Sequence, residues 1–342
     1  MEYTIRPAYP ADNAALASLI NAHSQHVVGT NRALIDGDGD LRTARYISGA
    51  AERLIVEVDG KRAAFAYAHC PAPHVVVETA LIMPPDAQTA GLAEALLGEL
   101  EACARRWVDQ APPGARVVQQ ATVLSDDAFM RQQLEACGFH PAREWVHFEL
   151  ELTEAPVANL PPGVTLRVMD PRRDWPAVGA VMDAAFADHW GEMGPDVRTL
   201  LEENEPDEDM VEGSEEEARE EEEADDPYSN SLGLCFVAEA EGQVIGSCLC
   251  NERTIEWPDA GKLGSLSVLR AYRRLGVGHA LTAAALAEFH RRGNGRVITD
   301  TDNASFTGAN RLYPRFGFRP YRYEHVLEKE LRAGHEWRRL SP

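Results

Sequence analysis

Six consecutive residues, Arg273-Arg274-Leu275-Gly276-Val277-Gly278, combine formal positive charge with two missing side chains. Upstream, Leu266 and Val268 alternate with Gly264, Ser265 and Ser267 as in a buried strand. Downstream, Val277, Leu281, Ala285 and Phe289 recur every fourth residue, as on one helix face. The glycines therefore fall where a strand hands over to a helix. Without a Cβ the backbone can turn there so that its N–H groups converge, just where a helix leaves its first donors unpaired. The helix dipole and Arg273 and Arg274 add positive charge, so a phosphate or pyrophosphate is the natural occupant. A nucleotide P-loop would require Lys and Ser or Thr after the glycine, where His279 and Ala280 stand. The dinucleotide fingerprint would require a third small residue where Leu281 stands.

What remains, Arg-x-x-Gly-x-Gly entering a long helix, resembles the coenzyme A pyrophosphate loop of the GNAT superfamily of N-acetyltransferases. Further on, a strand over Arg296 to Thr301 is followed by Asp302-Asn303, a helix bearing Leu312-Tyr313, and Phe316-Gly317-Phe318. GNAT enzymes end a strand in Asn, carry a Tyr on the next helix and enter their last strands through Gly-Phe, so the resemblance extends over residues 164–332. It implies an acyltransferase that moves an acetyl group from acetyl-CoA, as co-substrate, to a primary amine of a small molecule or protein. It sets Leu266, Val268, Arg273, Arg274, Leu275, Gly276, Val277, Gly278, His279 and Asn303 against the coenzyme A. Tyr313 becomes the general acid, since a phenol near pKa 10 matches the basicity of the departing thiolate. The plainer readings are an aromatic packed beside Phe316 and Phe318, and a turn residue in Asp302-Asn303. Many family members carry a Glu base on the strand before the loop, but Lys262 to Val268 contains no carboxylate. Glu256 is the candidate base, with Glu252, Asp259 and His189 as alternatives. That gap leaves a competing reading, a non-catalytic acyl-CoA-binding or protein-interaction module.

The elements that must hold these residues occur twice. Ile5-Arg6 and Pro10 match Leu166-Arg167 and Pro171 at an offset of 161, each followed by an amphipathic helix. Asp59-Gly60 joins two strand-like runs as a tight hairpin, and Glu241-Gly242 repeats it at an offset of 182. Gln88-Thr89-Ala90-Gly91-Leu92-Ala93 is a variant of the loop at an offset of 185, and Gly138-Phe139 precedes Gly317-Phe318 by 179. Both halves close on Glu-Leu-Glu-Leu or Glu-Lys-Glu-Leu, at 149–152 and 328–331. The fold class expected is α/β: two tandem GNAT-like domains, each a mixed, mostly antiparallel central sheet flanked by helices. Residues 1–153 form the first domain, 154–163 a proline-bearing linker, 164–332 the second domain and 333–342 a tail. At the 179 offset, Tyr313 corresponds to Leu134 and Asn303 to Leu124, so the first domain reads as degenerate and the second as catalytic.

The offset grows from 161 to 182 where an acidic run, residues 202–226, carries sixteen Asp or Glu against Arg219 alone. So much like charge cannot bury enough apolar surface to fold, and the run reads as a disordered insertion. The whole chain has a net charge of −22, which argues against nucleic acid as partner. It favours an amine, even a cationic one, as acceptor. No run of about 18 apolar residues exists, so no membrane association and a cytoplasmic location are expected. The 342 residues suit two domains in a monomer or homodimer. The six cysteines lie in apolar stretches as core thiols. Cys248 and Cys250 would share a strand face, but no second Cys or His pair completes a metal site, so no metal is expected.

Overall fold

The computed structural model describes residues 3–35, 41–43, 52–193, 233–254 and 256–340. The acidic run 202–226 lies outside the described residues. The chain folds as two compact units, one of Met1–Trp145 with Arg322–Trp337 and one of Val146–Tyr321 with Arg338–Pro342.

In the first unit β1 (Tyr3–Pro7) leads into α1 (Asn13–Val28), and β2 (Ala33–Ile35) and β3 (Leu41–Thr43) form a separate ribbon. Then follow β4 (Glu52–Val58), β5 (Lys61–His69), β6 (Val76–Ile82), α2 (Ala90–Arg105), β7 (Val117–Leu124) and α3 (Ala128–Ala136). The chain continues through β8 (His140–Glu151), β9 (Val164–Val168), α4 (Pro171–Phe186), β10 (Phe236–Ala240), β11 (Gln243–Asn251) and β12 (Gly261–Val268). It ends with α5 (Val277–Arg292), β13 (Arg296–Asp302), α6 (Ala309–Leu312) and β14 (Arg319–Arg332).

The strand order is β1-β4-β5-β6-β7-β14 in the first unit and β8-β13-β12-β11-β10-β9 in the second. All pairs with a stated register are antiparallel except β6 with β7 and β12 with β13. The mixed, mostly antiparallel sheet flanked by helices is thus present twice. The units do not follow the order of the repeats, however. The sheet of the first unit is closed by β14, from Arg322 onward, although that strand ends the second repeat. Val146 to Glu151, which end the first repeat, belong to the second unit. The boundaries expected at 153 and 164 mark the repeats, whereas the compact units change over at 145 and 321. Residues after β14 are also tied down: the His335 amide bonds the Gly114 carbonyl, and the His335 carbonyl accepts from the Arg116 amide, both at 2.8 Å.

Each unit repeats the same local devices. Asp59 and Gly60, and Glu241 and Gly242, all have positive φ, as a two-residue hairpin turn requires. Arg6 grips buried Asp12 at 2.8 Å and Glu57 at 2.9 Å; Arg167 grips buried Asp174 at 2.9 Å and Glu239 at 2.6 Å. Each guanidinium holds its aspartate well below the usual carboxylate range. In the second unit α5 lays Val277, Leu281, Ala285 and Phe289 against Cys248, Cys250, Leu263 and Val297 of the sheet. That is the face expected from the fourfold spacing. The opposite face of β10 and β11 packs Val237 and Leu249 against Val178 of α4.

Candidate active site

In the second unit β12 and β13 pair over only three positions, Gly261 with Val297, Lys262 with Ile298 and Leu263 with Thr299. Beyond them β12 runs on to Val268 and β13 to Asp302, so the parallel strands part. A cause is visible on the other side of β12. Its pairing with β11 shifts register between Leu249 and Cys250, leaving Gly264 as an extra, unpaired residue that bends the strand away. A Cβ there would stand 3.3 Å from the Asn251 Oδ1 and the Leu249 carbonyl, which is why the bulge falls on a glycine. The parted stretch leaves strand backbone without a neighbour, a slot into which an extended amide-bearing chain can hydrogen-bond.

The glycine turn caps that slot. Gly276, at φ +96°, is the cap residue of α5, and Arg274 is also left-handed at φ +66°. The amides of Val277, Gly278 and His279 form the first turn and have no carbonyl four residues back to bond. Gly278 could carry a methyl with no protein atom closer than 3.8 Å. Packing therefore does not demand a glycine there, and its bareness leaves room above the amides. Arg274 and Leu275 are exposed beside this opening, Leu275 at 60%. His279 stacks on Phe316, 4.5 Å between ring centres. The loop thus fits the pyrophosphate of a coenzyme A through backbone amides.

Arg273 is placed otherwise than its formal charge suggests. Its Nε donates to the Val268 carbonyl at 3.1 Å and its Nη2 to the Ala185 carbonyl at 2.6 Å, while Nη1 meets Asp188 Oδ2 at 3.1 Å. The guanidinium is spent on tying the loop to α4, and Asp188 neutralises it. In the first unit Gln88 makes the same bond, from Nε2 to the Met83 carbonyl at 3.1 Å. The first residue of the motif is therefore a backbone clip in both loops. His189 lies beside Asp188, Nδ1 to Oδ1 3.3 Å, between the rings of Phe186 and Phe306. Burial pushes its pKa down, so it is neutral at neutral pH.

Tyr313 stands at the other end of the slot. Its ring packs against Phe148 and Phe318, and its hydroxyl lies near Thr299, the last β13 residue paired to β12. The Thr299 hydroxyl proton is given to the Leu263 carbonyl at 3.0 Å. Burial pushes its pKa up. A buried phenol that keeps its proton, aimed at the fork between two strands, can give that proton and cannot serve as a base. Asn303 is exposed in a turn that Asp302 makes with the Ala304 amide, and its carbonyl accepts from Asn310.

The candidate bases do not gather at the fork. Glu252 pairs with Arg292, in the last turn of α5 and about 24 Å along that helix from the glycine turn. Glu256 and Asp259 lie in the segment before Gly261, upstream of the paired stretch of β12. Cys248 and Cys250 do share a face, 3.7 Å between sulfurs, and both are free and buried. No group of three His, Cys, Asp or Glu that could hold a metal occurs among the described residues. No helix among them is long and apolar enough to cross a membrane.

The first unit has the same parted pair, β6 and β7 being joined only from Val76 to Thr79 and Val118 to Ala121. Its fork opens on a cavity of about 120 Å³ lined by Ile20, His23, Leu97, Leu124, Asp127 and Leu134 among others. Leu124 and Leu134 stand where the second unit has Asn303 and Tyr313. Ala93, in place of Gly278, is fully buried in the core rather than open beneath the turn.

Comparison with known proteins agrees with this geometry. Residues 195–318 match the model of the Acetyltransferase (GNAT) family. The mycothiol acetyltransferase of Streptomyces griseus subsp. griseus is 26% identical over 325 residues, 93% of either chain. That of Thermobispora bispora is 33% identical over 169 residues, 48% of this chain and 50% of its own. Among solved structures, a GCN5-related N-acetyltransferase from Sphaerobacter thermophilus shares the fold with a TM-score of 0.69 at 24% identity, covering 98% of this chain and 97% of its own. A tandem GNAT protein from the clavulanic acid biosynthesis pathway superposes with a TM-score of 0.67 at 15% identity over 98% of this chain and 100% of its own. The parted strands, the amide turn and the twofold repeat thus agree with these likenesses: residues 195–318 match the GNAT family model, and the whole chain shares the fold of tandem GNAT proteins.

Proposed function

We propose that the second unit transfers an acetyl group from acetyl-CoA to a primary amine, and that the first unit is not catalytic. The observation that carries this is the alignment of three things along one slot: the bare amide turn at its mouth, the unpaired edges of β12 and β13 along its length, and the Tyr313 hydroxyl at its fork. When bound, the thioester supplies an activated acetyl group. The chain's part is to hold the pyrophosphate on the amides of Val277 to His279, to pair the arm against Leu266 and Val268, and to protonate the leaving sulfur from Tyr313. Arg273 acts by fixing the turn, and Asn303 stands at the end of β13 within the same opening. Leu124 and Leu134 can neither bond an amide arm nor give a proton, which supports the second unit as the site of the chemistry. The likeness to mycothiol acetyltransferases favours a small-molecule acceptor over a protein one.

The test is thiol release from acetyl-CoA in the presence of a set of amines, with Gly278→Leu beside the wild type. A leucine side chain reaches into the space over the turn, so acetyl-CoA binding by calorimetry should be lost while circular dichroism is unchanged. Undiminished binding by Gly278→Leu would refute the assignment of the turn.

A further inference from the structure

The strand that in many family members carries the base has Lys262 in that region, and the Lys262 ammonium meets a carboxylate from the next strand. Its Nζ lies 3.2 Å from Asp300 Oδ1. Asp300 follows Thr299, so it is the first residue of β13 beyond the last pair of the parallel stretch. Strand alternation fixes its side. Val297 packs against α5, and a Cβ on Gly261 would run into Phe289 of α5. Lys262, Arg296, Ile298 and Asp300 therefore face the other way. Lys262 and Asp300 remain 35% and 33% exposed. Tyr313 reaches Thr299 from the α5 side, and the Asp300 charge is near enough to disfavour its ionisation. A proton donor and a carboxylate thus flank one fork from opposite faces of the sheet.

The rest of that face is a built corner. The Arg296 guanidinium lies 4.4 Å from the centre of the Trp257 ring and bonds Glu149 at 2.7 Å. Tyr321 sets an edge against Trp257 and another against His147, with ring centres 6.2 Å apart in both cases. Each of these cations is matched by a carboxylate, so the corner carries little net charge.

We propose that Asp300 is the carboxylate that receives the acceptor amine, that Lys262 positions it, and that the acceptor is a primary monoamine, which this nearly neutral face suits better than a dication. This rests on the reading of the second unit as an acetyltransferase. The neutral amine nitrogen forms a bond to the acetyl carbon and the carbon–sulfur bond breaks. The nitrogen, made acidic by the new bond, sheds its surplus proton to Asp300, and the departing sulfur takes one from Tyr313. Asp300 then returns its proton to solvent and Tyr313 regains one, which balances the cycle. A carboxylate is too weak a base to strip a free alkylammonium, so its service falls after attack rather than before it.

The probes are phenethylamine, cyclohexylamine and putrescine, with acetyl-CoA, following single-turnover thiol release and acetyl-CoA affinity separately. Asp300→Asn should keep the affinity and lower the single-turnover rate with phenethylamine by about 10²–10⁴-fold, and Asp300→Glu, which returns the carboxylate, should recover part of that loss. Lys262→Met should lower the rate with the affinity unchanged, and Lys262→Arg, which returns the cation, should restore it. An Asp300→Asn variant that keeps the rate overturns the proposal. A preference for putrescine over both ring-bearing monoamines overturns the substrate class. A wild type that binds acetyl-CoA yet releases no thiol with any of the three overturns it too, and in that case the acetyl-transfer reading fails with it.

Discussion

Replacing Tyr313 by Phe removes one oxygen and leaves the ring. The ring is what packs: it fills the space between Phe148 and Phe318 and is 5% exposed. The hydroxyl lies near Thr299, whose own proton is already placed on the Leu263 carbonyl. Its loss should cost about 0.5–1.5 kcal/mol of stability, a shift of a few degrees in Tm for a unit of this size. Acetyl-CoA affinity should be unchanged, since the turn lies at the far end of the slot. The chemical step is different. Without the donor the sulfur must leave as a thiolate, and general acid catalysis is worth about 10²–10⁴-fold, or about 3–5 kcal/mol of barrier. Single-turnover thiol release, measured at saturating acetyl-CoA, isolates that step from binding and product release. The pH dependence gives a second reading. Because burial raises the Tyr313 pKa, the wild type should show no loss of rate from phenol ionisation through pH 10. A Tyr313→Phe variant with the wild-type single-turnover rate would remove Tyr313 from the chemistry. So would a basic limb near pH 8 that vanishes in the variant, since it would show a phenol that ionises easily.

Gly276→Ala forces a Cβ into φ +96° and should cost about 1–2 kcal/mol by urea denaturation, whereas Gly278→Ala, with 3.8 Å of clearance, should change stability by less than about 0.5 kcal/mol. Asp12 and Asp174 have folded pKa values below their unfolded ones, so their stabilisation is complete above the unfolded value and is lost as pH falls through the folded one. The urea midpoint should therefore begin to drop below about pH 4. Asp174→Asn, measured at pH 7, should cost about 3 kcal/mol by leaving Arg167 without its main partner. Leu134→Ala should destabilise the protein by about 2–5 kcal/mol through the cavity it leaves, yet keep the rate of acetyl transfer at temperatures below unfolding. A large fall in the rate of the still-folded variant would give the first unit a part in the chemistry.

What could be read from the chain was what short spans decide. The hairpin turns at Asp59-Gly60 and Glu241-Gly242, the start of α5 at Val277 and the buried stripe of that helix all follow from neighbours within a few residues. The role of Arg273 did not follow, because Asp188 is 85 positions away and nothing local marks it as a partner. The register shift that makes Gly264 a bulge depends on how β11 pairs, and a glycine among small residues gives no sign of it. Asp300 has no local mark for the same reason: that it stands across from Lys262 at the point where the strands part is a fact of pairing rather than spacing. The exchange of closing strands was beyond reach because Glu-Leu-Glu-Leu and Glu-Lys-Glu-Leu are alike enough in pattern to suit either sheet.

That exchange makes the two halves of the gene inseparable. A polypeptide cut in the proline-bearing connection at 154–163 would yield an amino-terminal piece whose β7 has lost the strand that bonds it from Glu324 to Arg332, leaving a raw edge open to aggregation. The carboxy-terminal piece would carry every residue assigned to catalysis and still lack Val146, Phe148, Leu150 and Leu152, four side chains of the core beneath Tyr313. Once such a swap is established, neither repeat can be discarded, because the terminal strand of each has become part of the other's compact unit. Each repeat is then retained for the core it supplies, and a stand-alone second unit would have to be made by grafting residues 146–152 back onto the second repeat rather than by trimming.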